Sequence, residues 1–413
     1  MRILWLKTEL LHPLDKGGRI RTYHMLRALR RDHHITYLTL DDGTAAPDAA
    51  ERAAEYCHDL ECIPFRTTPK NSWKVYGDLL LNVASGLPYA VAKYRSSRME
   101  DAIRRRLRDE RYDVVVCDFL FPSRNMPDGV DCPTVLFQHN VEAAIWERHA
   151  AVAGSTIKRA YLREQWRRMV RIERRECRRF DHVVAVSEAD AETMEREYAL
   201  PNVAWVPTGV DTEFFRPEHD YPAGGRDIVF TGAMDWLPNE DAIVYFAGEI
   251  LPRVRARVPD AELVLVGRNP TPRVEHVAST TPGVRLVGRV PDVRAYVDAA
   301  AVFVVPIRVG GGTRLKVFEA MAMERPVVST TVGVEGLPVA DGDHVMIADD
   351  AERFANAVVT VLSDPVQAAA LGRRGAQYVR EHFAWDSVAE QFAQICERVA
   401  SREHIPARVG SGA

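Results

Sequence analysis

Ten short apolar runs recur along this chain, most of them separated by longer stretches with helical periodicity. Five lie at 2–6, 34–40, 113–117, 134–138 and 182–186, and five at 227–231, 261–266, 284–287, 301–306 and 326–329. Several are unbroken Val, Ile and Leu, without the polar alternation of a half-exposed strand, so they read as strands covered on both faces. Parallel strands joined by helices bury their strands in this way. The pattern therefore predicts an α/β chain with two doubly wound, Rossmann-like domains facing a cleft. Between the two sets, residues 207–226 carry Pro207, Gly209, Pro217, Pro222, Gly224 and Gly225 and read as a linker. The expected domains are thus 1–206 and 227–385. Trp385, Val388, Phe392, Ile395 and Val399 are spaced 3-4-3-4, as in an amphipathic helix, expected over 386–402. The tail beyond Arg402 has little to bury and reads as frayed.

Composition narrows the function classes. The 413 residues suffice for two cores, and the formal net charge of −4 does not favour nucleic acid as a partner. Cys57, Cys62, Cys117, Cys132, Cys177 and Cys396 show no metal-like pairing and read as reduced thiols of a cytoplasmic protein. The apolar start reads as a first strand rather than a signal peptide, and no run approaches the ~20 apolar residues of a membrane span. No repeat or low-complexity segment stands out.

The segment Gly310-Gly311-Gly312-Thr313-Arg314-Leu315-Lys316 follows the run 301–306 and opens a helical pattern. Such a loop presents bare backbone N–H groups to an anion, with the helix terminus adding positive charge. Arg314 and Lys316 add two cations, Thr313 is placed to cap the helix, and Glu319 lies one turn on from Lys316. Cations for phosphate and a carboxylate for hydroxyls describe a nucleotide-sugar site. Gly17 and Gly18 precede another helix and form a second, smaller candidate loop. His139 and Glu142 follow the run 134–138, at the strand end where open α/β sheets place their sites. Glu142 reads as an acceptor contact, a general base or simply a helix-start carboxylate. Ser187 and Asp190 fit a helix cap. The segment 158–179 holds ten Lys or Arg against three Glu. It reads as a solvated, partly salt-bridged helix, or as a surface for an anionic membrane or anionic acceptor.

With two such halves and that loop, the chain resembles the GT-B glycosyltransferases of family 4, the retaining class. The resemblance rests on Pro13-Leu14-Asp15-Lys16-Gly17-Gly18, on Ser187-Glu188-Ala189-Asp190, and on Val206-Pro207-Thr208-Gly209-Val210-Asp211. The remaining matches are the stretch 310–322, Pro326-Val327-Val328-Ser329-Thr330 and Gly333-Val334-Glu335-Gly336-Leu337. It implies a C-terminal helix that crosses back to the first domain, an acceptor-binding first domain and a donor-binding second domain. The implied substrates are a UDP-, GDP- or dTDP-linked sugar and a glycan, lipid or small-molecule acceptor, with no obligatory cofactor or metal. It further implies donor contacts at Gly17, Gly18, Gly232, Gly311, Gly312, Thr313, Arg314, Lys316 and Glu319, with His139 beside the transferred sugar and Arg314 and Lys316 on the leaving diphosphate. Two positions depart from the family pattern. Gly311 stands where a first glutamate is frequent, and the stretch from Gly232 to Asn239 lacks the cations usual there. A nucleotide-sugar epimerase, a phosphorylase and a non-catalytic nucleotide-sugar binder remain as alternatives.

Overall fold

A computed structural model describes residues 1–66, 82, 86–151, 156–221, 224–309 and 314–402. The chain divides into two compact units, one of 1–207 with 388–413 and one of 208–387.

The first unit holds a seven-stranded parallel sheet in the order β3-β2-β1-β4-β5-β6-β7. Its strands are β1 (Arg2–Lys7), β2 (His34–Asp41), β3 (Asp59–Pro64), β4 (Val114–Asp118), β5 (Thr134–Phe137), β6 (His182–Ala185) and β7 (Val203–Trp205). β1 lies mid-sheet, with Trp5 opposite Tyr37 on one side and Val116 on the other. From Ile3 onward it is wholly buried, which explains its unbroken apolar run. The helix Trp385–Ala400 contributes Phe392 to this unit, 5.6 Å between ring centroids from Trp5 and 4.9 Å from Phe137. The tail from 403 lies outside the described residues.

The second unit holds a six-stranded parallel sheet in the order β10-β9-β8-β11-β12-β13. The strands are β8 (Asp227–Thr231), β9 (Glu262–Val266), β10 (Val284–Gly288), β11 (Val302–Val305), β12 (Val327–Ser329) and β13 (Met346–Ile347). All ten apolar runs form strands. Those not foreseen, β3, β7 and β13, lie at or next to sheet edges, where short or polar strands suffice.

Described residues of the stretch 207–226, read as a linker, contact the second unit. From Thr208 on it belongs to the second unit. Val210 bridges to Ala384, the Tyr221 hydroxyl donates to the Ala301 carbonyl (2.8 Å), and His219 bonds Asp298 (2.6 Å). A Cβ on Gly209 would stand 2.6 Å from the Trp385 indole, so only glycine fits. Gly209 thus sits at a close contact, which composition alone does not distinguish from a loose turn.

Strand order reverses direction between β1 and β4, and again between β8 and β11. Open parallel sheets leave a crevice at the carboxyl ends of the strands there. Lys7 and Asp118 end the first pair, and Thr231 and Val305 end the second.

Candidate functional site

At the first reversal, charge is gathered under the glycine loop. Asp118 is fully buried, and its Oδ2 accepts from Lys7 Nζ (2.8 Å), Thr22 Oγ1 (2.7 Å) and Trp5 Nε1 (3.0 Å). His139 Nε2 lies 2.8 Å from Asp118 Oδ1, too poorly aligned for a directed hydrogen bond but a close electrostatic contact. Burial opposes ionisation of Asp118, yet Lys7 and His139 outweigh it and hold the carboxyl well below the usual range. Burial drives the His139 pKa down to about 3 against the pull of Asp118, so the ring is neutral. The helix Gly17–Leu29 starts directly above. A Cβ on Gly18 would stand 3.0 Å from the Phe119 ring and 3.9 Å from His139 Nδ1, whereas Gly17 faces open space. The tertiary fold thus brings Gly18 and His139 together, with Phe119 between them. His139 is 1% exposed, so it is not a surface histidine.

The loop ahead of that helix is clamped by Arg19. Its guanidinium bonds Glu9 (2.6 and 2.9 Å), Asp15 (3.1 Å) and the Pro13 carbonyl (3.2 Å).

Glu142 opens the helix Glu142–Ala151, and its side chain is buried. Beneath it, Glu173 accepts from the backbone N–H groups of Glu142 (2.8 Å) and Ala143 (2.9 Å), from Gln138 (3.0 Å) and from the Tyr198 hydroxyl (2.7 Å). Glu173 therefore satisfies the free donors at that helix start. Burial raises both carboxyl pKa values to about 7, and for Glu142 the charge of Glu173 adds to the rise.

Glu173 lies on the helix Thr156–Cys177, within the basic segment. Its inner side is salt-bridged: Arg168 holds Glu164 (2.9 Å), and Glu176 binds Arg124 (3.0 Å) and Arg179 (2.6 Å). Arg163, Arg167, Arg174 and Arg175 are exposed and carry no ion pair among the described residues. Ser187 Oγ accepts from the Asp190 N–H (3.2 Å), the helix cap expected there.

At the second reversal, Gly311, Gly312 and Thr313 lie outside the described residues. The helix Leu315–Ala322 follows, with Val317, Phe318, Ala320, Met321 and Ala322 buried and Leu315 only partly so. Lys316 reaches away from it, donating to the Thr231 carbonyl (2.6 Å) and to Asn239 Oδ1 (3.0 Å), with its ammonium 4.2 Å from the Phe230 ring centroid. Gly232 turns beneath with φ 149°. A Cβ there would come within 2.7 Å of Asn239 and 2.9 Å of Lys316 Nζ. Lys316 thus places an ammonium at the Gly232 turn, whose local sequence carries no cation. Burial lowers the Lys316 pKa to about 7, Glu319 opposing and Arg314 adding to the fall. Burial raises Glu319 to about 7 against the pull of Lys316. Its half-buried carboxylate has no hydrogen bond or ion pair among the described residues. Arg314 is 4% exposed, and its guanidinium lies 5.1 Å from the centroid of the half-exposed Trp236 ring. Burial lowers its pKa against Glu335.

Chemically, the second unit offers a cation whose charge is held near its neutral point and an unengaged carboxylate one turn away. An anion at Lys316 would favour the charged ammonium, and the Glu319 carboxylate is suited to accept from hydroxyls. Sequence reasoning missed Asn239, Lys7, Asp118, Phe119 and Glu173. No local signal marks them, because each acts through a partner distant in the chain.

Residues 16–214 match the family model described as Glycosyltransferase Family 4, and residues 225–364 match the one described as Glycosyl transferases group 1. The phosphatidyl-myo-inositol mannosyltransferase of Mycolicibacterium smegmatis is 30% identical over 225 residues, 52% of this chain and 57% of that protein. The GDP-mannose-dependent monoacylated alpha-(1-6)-phosphatidylinositol monomannoside mannosyltransferase of Corynebacterium glutamicum is 25% identical over 239 residues, 51% of this chain and 63% of that protein. The chain therefore spans little more than half the length of these relatives. Among solved structures, sucrose-phosphate synthase from Thermosynechococcus elongatus superposes with a TM-score of 0.66 at 19% identity, over 98% of this chain and 100% of that one. Anabaena Alr3699/HepE in complex with UDP gives 0.63 at 12% identity, over 96% and 100%. At these identities the likeness is one of fold, the GT-B fold.

Proposed function

The chain belongs to the group 1, family 4 glycosyltransferases, and from that premise we propose that it moves a sugar from a nucleoside-diphosphate donor to an acceptor hydroxyl with retention of configuration. The second unit holds the donor and the first unit the acceptor. The observation that carries this reading is the placement of Lys316 at the Gly232 turn, with the unengaged Glu319 one turn along the same helix. As the glycosidic bond breaks, negative charge grows on the departing diphosphate. A cation fixed beside it helps that state more than the ground state. Arg314 adds a second charge, and Glu319 accepts hydrogen bonds from the donor ribose. Attack comes from the leaving-group face, and a donor phosphate oxygen takes the acceptor proton. His139, neutral and tied to Asp118, orders the end of β5 near the transferred sugar.

GDP-mannose is the first donor to test, since the mannosyltransferase relatives include one that is GDP-mannose-dependent by name. Thermal-shift measurements with GDP, UDP and dTDP sugars should show a selective rise in melting temperature, because a ligand bound only by the folded state stabilises it. Turnover with a candidate acceptor should then release the nucleoside diphosphate. Binding to none of the donors would remove the reading. Product formation without any acceptor would replace it with an epimerase.

The acceptor side of the proposal includes an anionic membrane. Arg163, Arg167, Arg174 and Arg175, without an ion pair among the described residues, are each worth about 1 kcal/mol near an anionic lipid surface. No single helix among the described residues is long and apolar enough to cross a membrane, so the contact proposed is peripheral. All six cysteines are free, as suits the cytoplasmic face. Sedimentation with phosphatidylserine vesicles should be salt-sensitive and should fall when these arginines become serine. Equal sedimentation of the variant and the parent would rule the contact out.

A further inference from the structure

Phe119 occupies a position that the sugar-transfer reading leaves unassigned. It follows β4 directly, at the carboxyl end of the sheet and at the first strand-order reversal. Its φ of 78° lies in the left-handed region, which a bulky side chain rarely adopts. Such strain concentrates at sites where geometry serves binding. Its ring centroid lies 3.9 Å from that of His139 and 6.0 Å from that of Phe121, and the Lys7 ammonium stands 4.6 Å from it. Gly18 packs on the ring edge so closely that a Cβ would stand 3.0 Å away. Phe119 is partly exposed, whereas His139 behind it is 1% exposed and its Nδ1 has no hydrogen-bond partner among the described residues. A ligand arriving at the start of the helix Gly17–Leu29 therefore meets Phe119 before it meets His139.

We propose that Phe119, not His139, is the direct sugar contact of the first unit, its ring taking the apolar C–H face of a pyranose while His139 positions the ring from behind. This rests on the sugar-transfer reading for the class of ligand. His139, Phe121, Lys7 and Gly18 hold the ring at a fixed tilt, and the strained backbone aims it. A flat, rigid ring carries low ordering entropy and a large contact area, as an aromatic anchor requires. The pyranose is either the transferred sugar or a sugar of the acceptor, and kinetics separate the two.

The test uses the full chain with Phe119→Leu, Phe119→Tyr and Phe119→Gly. Leucine keeps bulk but loses the ring, tyrosine keeps the ring, and glycine accepts the backbone conformation freely if leucine fails to fold. The expected result for leucine or glycine is a KM raised tenfold or more with kcat changed less than threefold, restored by tyrosine. A rise in donor KM at unchanged nucleoside-diphosphate affinity assigns the transferred sugar, and a rise in acceptor KM assigns the acceptor. Saturation-transfer NMR with methyl pyranosides provides a readout independent of turnover. Pyranoside binding that depends on Phe119 sustains the inference even if no donor turns over, in which case only the transferase reading fails. Unchanged KM and unchanged pyranoside binding in the leucine or glycine variant overturn it, as does an absence of pyranoside binding by the parent protein.

Discussion

The ammonium of Lys316 donates to the main-chain carbonyl of Thr231 at 2.6 Å, across a separation of 85 residues. A cation that the sequence places behind a glycine loop therefore stands at the last residue of β8, over the Gly232 turn. That relationship brings a cation to a turn whose own sequence, Gly232 to Asn239, has none.

Lys316→Ala should lower kcat/KM by ~10²-fold or more, as expected on losing a donor to developing charge. Gly232→Ala should weaken donor binding in parallel, because its Cβ would displace both Asn239 and the ammonium. Steady-state kinetics on the two variants decide this. A loss below threefold for Lys316→Ala would take the lysine out of the mechanism.

Donor binding should take up a proton at Lys316 near neutral pH, measured in a Glu319→Gln background because the neighbouring carboxyl, also held at about 7, would release one in exchange. The free protein holds Lys316 at about 7, below its ordinary value, and a bound diphosphate diester favours the charged form. Affinity for a nucleotide sugar should therefore fall as pH rises above 7. Calorimetry in two buffers of different ionisation enthalpy measures the uptake, and buffer-independent heats at pH 7.5 would contradict it.

Glu142→Gln should stabilise the fold at alkaline pH. The folded pKa of Glu142 is raised to about 7 by burial and Glu173. The folded state thus holds its proton more tightly than the unfolded chain, so its stabilising contribution is complete below pH ~4.5 and is lost as pH rises through 7. Glutamine imitates the protonated form. The variant should gain on the order of 1–3 kcal/mol over the parent at pH 8 and little at pH 4.5, read from urea denaturation at both values. An equal effect at both pH values would point to packing instead.

Asp118→Asn should cost about 3–5 kcal/mol, the range for breaking a buried ion pair by removing one partner, because it strands the Lys7 ammonium. Lys7→Met combined with Asp118→Asn should recover part of that loss. Denaturant midpoints of the single and double variants give the coupling, and additive losses would show that the pair is not coupled.

Much of the fold is legible because buried parallel strands need continuous apolar runs, and all ten such runs are strands. β3, with Asp59 and Glu61, and the two-residue β13 escaped, since a strand with one solvated side or two residues leaves no periodic trace. Proline and glycine mark where the chain turns, not whether the turn is packed, and Gly209 is required by Trp385 rather than by looseness.

What the sequence determined by itself is therefore local: which segments are strands and which helices follow them. Hydrophobic periodicity and helix-start chemistry act over a few residues, so a single segment is enough to display them. Only the tertiary structure decided that Lys316 meets the Gly232 turn, that Asp118 holds Lys7 and His139, and that Phe119 packs against His139. Those pairings join strand ends and helix starts tens of residues apart, and strand order, which no local pattern encodes, sets which of them meet.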